Sequence, residues 1–184
     1  MSVYTRTGDK LTTGLITGRA NKGSIRIDSY GTSDEALSYI GSLYSEMDDE
    51  KIKSQLETIM TLFFNMGADL ANPYPTDAIP FFIIKSNTET IEKYIDEMEK
   101  QIPPLTSFIY PIGSPLACKA NEIRALVRRC ERKIVLLDST IDNDEKFNKN
   151  ILPLINRLSD YFFILYRYLN HVAKVEEKVV VFNK

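Results

Sequence analysis

Ile52-Lys53-Ser54-Gln55-Leu56-Glu57-Thr58-Ile59-Met60-Thr61-Leu62-Phe63-Phe64-Asn65-Met66-Gly67-Ala68-Asp69-Leu70 is the stretch whose period decides the fold class. Ile52, Leu56, Ile59, Phe63, Met66 and Leu70 recur in alternating steps of four and three. That spacing lays one apolar stripe along a helix, the seam of a helical bundle. Asn72-Pro73-Tyr74-Pro75 ends the segment, because proline lacks the N–H that the helical ladder needs.

The same period extends in both directions. Upstream, Thr32-x-x-Glu35 spells a capping box and Leu37, Ile40, Tyr44 and Met47 follow at helical spacing, which predicts a helix from Thr32. Downstream, a second box at Ser86 to Glu89 precedes Ile91, Ile95, Met98 and Ile102, and Pro103-Pro104 stops that helix. Ser114-Pro115 reads as a cap followed by a first-turn proline, with Ile123, Val127, Cys130, Ile134 and Leu137 as the stripe behind it. A fifth helix is predicted from about Asn148 to Val172, carrying Ile151, Ile155, Leu158, Phe162, Leu165 and Leu169, with Pro153 in its first turn or kinking it. Val179 to Phe182 suits a short extended tail.

The expectation is one all-α domain spanning 1–184: an N-terminal loop over 1–31, a five-helix bundle over 32–172 and a tail over 173–184. A chain of 184 residues hides about 68–70% of its unfolded surface and needs no disulfide staples. The loop stands apart in composition. Five of the eight glycines (Gly8, Gly14, Gly18, Gly23 and Gly31) fall in it, among hydroxyls and cations, with no helical period. It reads either as a flexible leader or as an ordered loop suited to wrapping an anion.

Composition excludes several functions. The longest apolar run, Ala78 to Ile84, contains Pro80 and is far short of the ~18 residues of a membrane span. Arg6, Asp9 and Lys10 stand where a secretory signal needs apolar residues, and two cysteines make no disulfide framework, so a cytoplasmic protein is expected. A net charge of -2 argues against a nucleic-acid coat. With His171 as the one histidine, a multi-histidine metal site is impossible within one chain. A ferritin-like di-iron bundle needs Glu-x-x-His pairs, and Tyr168 stands three residues before His171. Chemistry must rest on arginine, lysine, carboxylates, amides and backbone.

Such groups gather in Arg124-Ala-Leu-Val-Arg128-Arg129-Cys-Glu131-Arg132-Lys133. Arg124, Arg128 and Arg132 are four apart and should share one helix edge, where like charges repel by a few tenths of a kcal/mol, about 0.2–0.5 per pair. Carboxylates from elsewhere or a polyanionic ligand would offset this, and Asp34 and Glu35 are candidate partners. Lying beside the Ile123, Val127 and Cys130 stripe, the guanidinium groups are expected at the core margin, partly desolvated, where bidentate phosphate contacts are strongest. The alternative is a solvated basic face. The leader's Thr5-Arg6-Thr7-Gly8-Asp9-Lys10 and Thr12-Thr13-Gly14 could supply an anion nest, although no P-loop pattern is present.

Taken together, these segments resemble the PduO-type ATP:cob(I)alamin adenosyltransferase family. The resemblance rests on Tyr4-Thr-Arg-Thr-Gly-Asp-Lys10, on Lys22-x3-Arg26 leading into Tyr30-Gly-Thr-x-Asp34-Glu35, on Arg124-x3-Arg128-Arg129-x-Glu131-Arg132, and on Asn156-Arg-Leu-Ser-Asp160-Tyr161. Ser107-Phe108-Ile109-x-Pro111 is a weaker fifth match. The family implies a five-helix, cobalamin adenosyltransferase-like bundle assembled as a homotrimer, with active sites between subunits. It implies transfer of the 5′-deoxyadenosyl group of ATP to the cobalt of cob(I)alamin, giving adenosylcobalamin and triphosphate, with Mg²⁺ accompanying the ATP. Its partners would be a cobalamin reductase and a B12-dependent enzyme, with no nucleic acid and no membrane.

By position, the resemblance gives Thr5, Arg6, Thr7, Gly8, Thr13 and Lys22 to ATP from the leader. It gives Arg128, Arg129, Glu131, Arg132 and Asn156 to ATP from the neighbouring subunit. Asp34 and Arg124 match an intersubunit salt bridge, and with Arg128 they form the expected catalytic set. Phe108 matches the aromatic that packs on the corrinoid and excludes cobalt's lower axial ligand.

Two positions depart from the family pattern. Leu11 replaces the last glycine of Thr-Gly-Asp-Lys-Gly, and Pro111-Ile112-Gly113 replaces Pro-Gly-Gly. The departures keep a second reading open, a non-catalytic ATP- or corrinoid-binding bundle acting as carrier or regulator. A third is a helical interaction protein whose arginines pair with its own acids. Cys118 and Cys130 are expected as core thiols, His171 as a surface or capping residue, and the aromatic run Tyr161 to Tyr168 as core, with Tyr161 or Tyr166 within possible reach of the site.

Overall fold

The computed structural model describes residues 4, 6, 8–142 and 144–182, so Thr5 and Thr7 lie outside the described residues. A hairpin of β1 (Thr12–Gly14) and β2 (Arg19–Asn21) precedes α1 (Ile25–Ser45), α2 (Glu50–Leu70), α3 (Lys85–Glu99), α4 (Pro115–Thr140) and α5 (Ile151–Val172). The hairpin is antiparallel, with Thr13 opposite Ala20. Helix α1 packs between α2 and α4, α4 between α1 and α5, and α5 between α4 and α3. The Tyr161 hydroxyl donates to Gln55 Oε1 at 3.0 Å and joins α5 to α2 across the core. The expected stripes of α2, α4 and α5 are buried.

Helix α1 starts seven residues before the predicted Thr32. Its N-cap is Ser24, whose hydroxyl accepts from the Ile27 N–H at 3.4 Å. Thr32 is an interior residue, and its hydroxyl donates back to the Asp28 carbonyl at 2.7 Å instead of capping. The first two turns were hidden because their inward face is polar. Arg26, Ser29, Thr32 and Ser33 are buried at helical spacing, so no apolar stripe marks them. Arg26 donates to the Leu70 carbonyl at 2.7 Å and pairs with Glu145 at 2.5 Å, while Ser29 donates to the carbonyls of Ile25 and Lys133. Partners for Arg26, Ser29 and Thr32 offset most of the cost of this buried polar face, while the Ser33 hydroxyl is buried without one among the described residues.

Two other starts shift. In α3 the cap residue is Ile84, and Asn87, not Ser86, satisfies its N–H at 2.8 Å. Helix α5 begins at Ile151, which puts Pro153 in the first turn. Asn148, placed at the start of that helix from sequence, lies in the preceding loop and donates to buried Asp69 at 2.7 Å. Asp69 also accepts from the Phe82 and Ile83 N–H groups, so one carboxylate ties two loops to the end of α2. Ser114 caps α4 and Pro115 opens it, as expected. No helix among the described residues is long and apolar enough to cross a membrane.

Candidate active site

Helix α4 divides its basic cluster among three directions. Four residues advance a helix by about 40° beyond a full turn, so a row spaced by four drifts steadily away from a core stripe. Arg124, nearest the stripe, is half-buried; Arg128 and Arg132 are exposed. This corrects the expectation that the whole row sits at the core margin. On the flank facing α1, Arg129 donates to Glu35 and Lys133 to Asp28. On the flank facing α5, the Arg124 guanidinium lies over the Phe163 ring at 5.6 Å and donates to Asn121 Oδ1 at 3.0 Å. Between these flanks Arg128 and Arg132 point outward, with no carboxylate partner among the described residues.

The electrostatics follow this division. Burial, then the positive field of Arg128, lowers the Arg124 pKa from its usual value. Asp34, on α1, is exposed and pairs with no cation among the described residues, so Arg124 and Asp34 are not joined within one chain. Asn156 of α5 donates to Glu131 Oε1 at 3.0 Å, which sets a carboxylate and an amide beside the outward arginines. The next residue on α5, Arg157, is structural: it bonds Glu92 of α3 at 3.1 Å and Asp160 at 2.6 Å.

The leader folds as a hairpin anchored to the far end of α2. The Ile16 N–H donates to the Ala71 carbonyl at 2.9 Å and Thr17 donates to Asn72 at 2.8 Å. Expected ligands Gly8 and Lys22 come together here: a Cβ on Gly8 would stand 3.3 Å from Lys22 Nζ. Lys22 is exposed and Thr13 half-buried, and the Arg6 guanidinium lies 5.5 Å from the Tyr4 ring centre. The Ile16 and Thr17 bonds tie the leader to the end of α2, whereas Arg129 pairs with α1 and Arg124 with α5 and its own helix.

Leu11 adopts φ 64°, the left-handed region that the glycine of the family pattern would occupy freely. Its side chain is 73% exposed, so burial offsets none of the strain. An L-residue there costs roughly 1–2 kcal/mol, part of which glycine would return as chain entropy. Leu11→Gly is expected to stabilise the protein by about 0.5–1 kcal/mol, a rise of about 1–4 °C in Tm by calorimetry. An unchanged or lower Tm would show that Leu11 carries no strain.

Phe108 sits on the loop between α3 and α4, 74% exposed, edge-to-face with Phe182 at 6.0 Å. The predicted tail is extended and pairs with this loop: the Val180 N–H donates to the Phe108 carbonyl and the Tyr110 N–H to the Lys178 carbonyl, both at 2.8 Å. Ile112 is not among the residues of positive φ, so that departure from the family pattern carries no backbone strain. Gly113 is sterically required. A Cβ there would lie 2.0 Å from Oδ1 of Asn170, a buried amide that accepts from the Ser114 N–H at 2.9 Å. Gly113→Ala should cost about 1–3 kcal/mol by chemical denaturation, as overpacking does; a neutral result would mean that Asn170 moves aside freely.

Burial pushes the Cys130 thiol up to about 12, while Cys118 is only half-buried, less enclosed than expected. Tyr161 is core, and burial raises its phenol far above the usual range. The Tyr166 hydroxyl donates to the carbonyls of Tyr110 and Ile112, so it serves the Phe108 loop. His171 is exposed in the last turn of α5.

Comparison with known proteins decides what this arrangement is. The cobalamin adenosyltransferase family model matches residues 3–169. The chain belongs to this family. It is 37% identical over 174 residues to the corrinoid adenosyltransferase of Bacillus subtilis (strain 168), covering 92% of this chain and 87% of that protein. It is 33% identical over 189 residues to the Homo sapiens corrinoid adenosyltransferase MMAB, covering 98% and 74%. Among solved structures, a Phe-to-Ala variant of the PduO-type ATP:corrinoid adenosyltransferase from Lactobacillus reuteri, complexed with cobalamin and ATP, superposes with a TM-score of 0.90 at 33% identity, covering 97% of this chain and 99% of that one. An Arg-to-Lys variant of that family member, complexed with ATP, gives 0.87 at 34% identity, covering 97% and 100%.

Proposed function

We propose that this protein transfers the 5′-deoxyadenosyl group of ATP to the cobalt of cob(I)alamin, within a homotrimer whose sites lie between subunits. The observation that carries this reading is the outward pair Arg128 and Arg132, cations without a carboxylate partner among the described residues, beside the Glu131–Asn156 bond. Self-repelling charges four apart are expected where a polyanion compensates them. The leader's Lys22, Gly8, Thr13 and Arg6, with Thr5 and Thr7, complete the nucleotide site from the adjacent subunit. Arg129 reaches the same nucleotide from its place beside Glu35.

The reaction requires little proton transfer from the protein. Reduced cobalt is the nucleophile: its electron pair forms the cobalt–carbon bond to the ribose C5′, the C5′–oxygen bond breaks, and that bonding pair leaves on triphosphate. A chain with a single exposed histidine is suited to such a step. Arg128 and Arg132 stabilise the charge growing on the leaving triphosphate, where preorganised cations contribute most. Arg124, held on Phe163, orients the interface through Asp34 of the adjacent subunit. Phe108 presents an exposed ring to the corrinoid's lower face. Alignment of cobalt with C5′ supplies up to roughly 7–11 kcal/mol in ideal cases.

Magnesium fits as an ion carried by the triphosphate. No group of three or more histidine, cysteine or acidic side chains stands together among the described residues, and Glu131 is the carboxylate next to the outward arginines. Such an ion, held mainly by phosphate oxygens and one carboxylate, would neutralise leaving-group charge.

Incubation with ATP, Mg²⁺ and chemically reduced cobalamin should yield the adenosylcobalamin spectrum; no product with fully reduced cobalt overturns the proposal. ATP at 100 times its Kd should add about 2.7 kcal/mol, which raises Tm by roughly 5–10 °C. The strain at Leu11 favours one rival, a nucleotide-binding bundle without transfer. That rival predicts the thermal shift without the product.

A further inference from the structure

Arg167 lies in the penultimate turn of α5 and is 4% exposed, although no step of the reaction uses it. Its guanidinium bonds Glu177 through both carboxylate oxygens, Nε to Oε1 at 2.7 Å and a terminal nitrogen to Oε2 at 3.2 Å. The same terminal nitrogen donates to the Pro103 carbonyl at 2.8 Å. One buried side chain therefore grips two segments. Pro103 begins the loop that carries Phe108, and Glu177 immediately precedes Lys178, whose carbonyl starts the tail's pairing with Tyr110.

Among the described residues the ladder has two backbone hydrogen bonds, Tyr110 to Lys178 and Val180 to Phe108, around the bridge of Ile109 with Val179. An isolated two-stranded pair of this length is not stable on its own in water. Its stability comes from the packing of Ile109 on the core and from anchors at its root. Tyr166 and Asn170 fix the Ile112 end of the loop by donating to its carbonyls, and Asn170 also accepts from the Ser114 N–H. Arg167 is the side chain that ties the loop's beginning and the tail to the same point of α5.

We infer that Arg167 and Glu177 are positioning residues: the ion pair of buried Arg167 with half-buried Glu177 latches the tail and so sets the place of the Phe108 ring. The inference rests on the transferase reading for the role of that ring, and on the Arg167 bonds alone for the latch. A bidentate, charge-assisted bond has the directional strength the task needs. The aim of Phe108 is thus governed from Glu177, in a segment beyond the matched family region of 3–169.

Truncating buried Arg167 risks the helix end, so the test uses the half-buried Glu177. Glu177→Gln keeps the shape and removes the charge. Amide exchange by NMR should speed up at Tyr110 and Val180 by about tenfold or more, while Val127 in the α4 core keeps its wild-type rate. In steady-state transfer assays the corrinoid KM should rise by about tenfold with the ATP KM within about twofold, and Glu177→Asp should recover part of the loss. Wild-type exchange at Tyr110 and Val180, or an unchanged corrinoid KM in an active enzyme, overturns the inference. If the wild-type protein is itself inactive, the transferase reading fails, and the exchange rates alone decide the latch.

Discussion

Arg128→Ala is expected to lower adenosyl transfer by about 10²–10³-fold, the loss seen when one preorganised donor is removed from a developing negative charge. Arg128 is exposed on α4 and has no carboxylate partner among the described residues. Its removal breaks no internal bond and relieves repulsion on Arg124, whose pKa its field lowers. Stability should therefore stay within about 0.5 kcal/mol of wild type. The combination is diagnostic. A core residue would lose fold and activity together, and a solvated surface cation would lose neither. Steady-state kinetics with saturating reduced cobalamin, alongside a melting curve, read both quantities. Full turnover in the variant would remove Arg128 from the triphosphate site.

Asp34→Arg is expected to have the second largest effect. Asp34 stands exposed beside Tyr30 and Gly31 at a cavity of about 520 Å³ lined by Leu15, Ile16 and Phe64. Arg124 is half-buried and holds Phe163 and Asn121 in place of an acid. In the proposed trimer the two are complementary halves of a contact between subunits. Reversing Asp34 places like charges together across the proposed interface, a change that costs several kcal/mol, on the order of 2–5. Sedimentation should show trimers replaced by monomers, and transfer should fall by about 100-fold or more. A variant that still sediments as a trimer with wild-type turnover would separate Asp34 from the interface.

The parts of this protein that were legible in the sequence are those where chemistry repeats locally. The stripes of α2 and α4 could be read because one apolar residue per turn is enough to mark an inward face. Ser114-Pro115 could be read because capping is decided within four residues. The first turns of α1 were not legible, since Arg26, Ser29, Thr32 and Ser33 face inward and their partners, Glu145 and the Lys133 carbonyl, are about a hundred residues away in sequence. The arginine cluster was legible as a charge problem but not as three separate destinations. That division depends on which helix covers each flank, and only packing fixes it. The tail read as extended, yet its partner was invisible, because the backbone groups it pairs with, at Phe108 and Tyr110, lie about seventy residues away in sequence. Thr5 and Thr7 remain expectations from the family resemblance.

Lys22→Ala and Arg128→Ala, each expected to be nearly inactive alone, provide the most direct test of a site built from two subunits. Coexpressed in equal amounts, the variants should form mixed trimers in which about a quarter of the sites join an intact leader to an intact arginine helix, as random mixing around a cyclic assembly requires. The account predicts transfer activity near a quarter of wild type from the mixture. Activity no higher than that of the separate variants, in trimers shown by mass spectrometry to contain both chains, would contradict it.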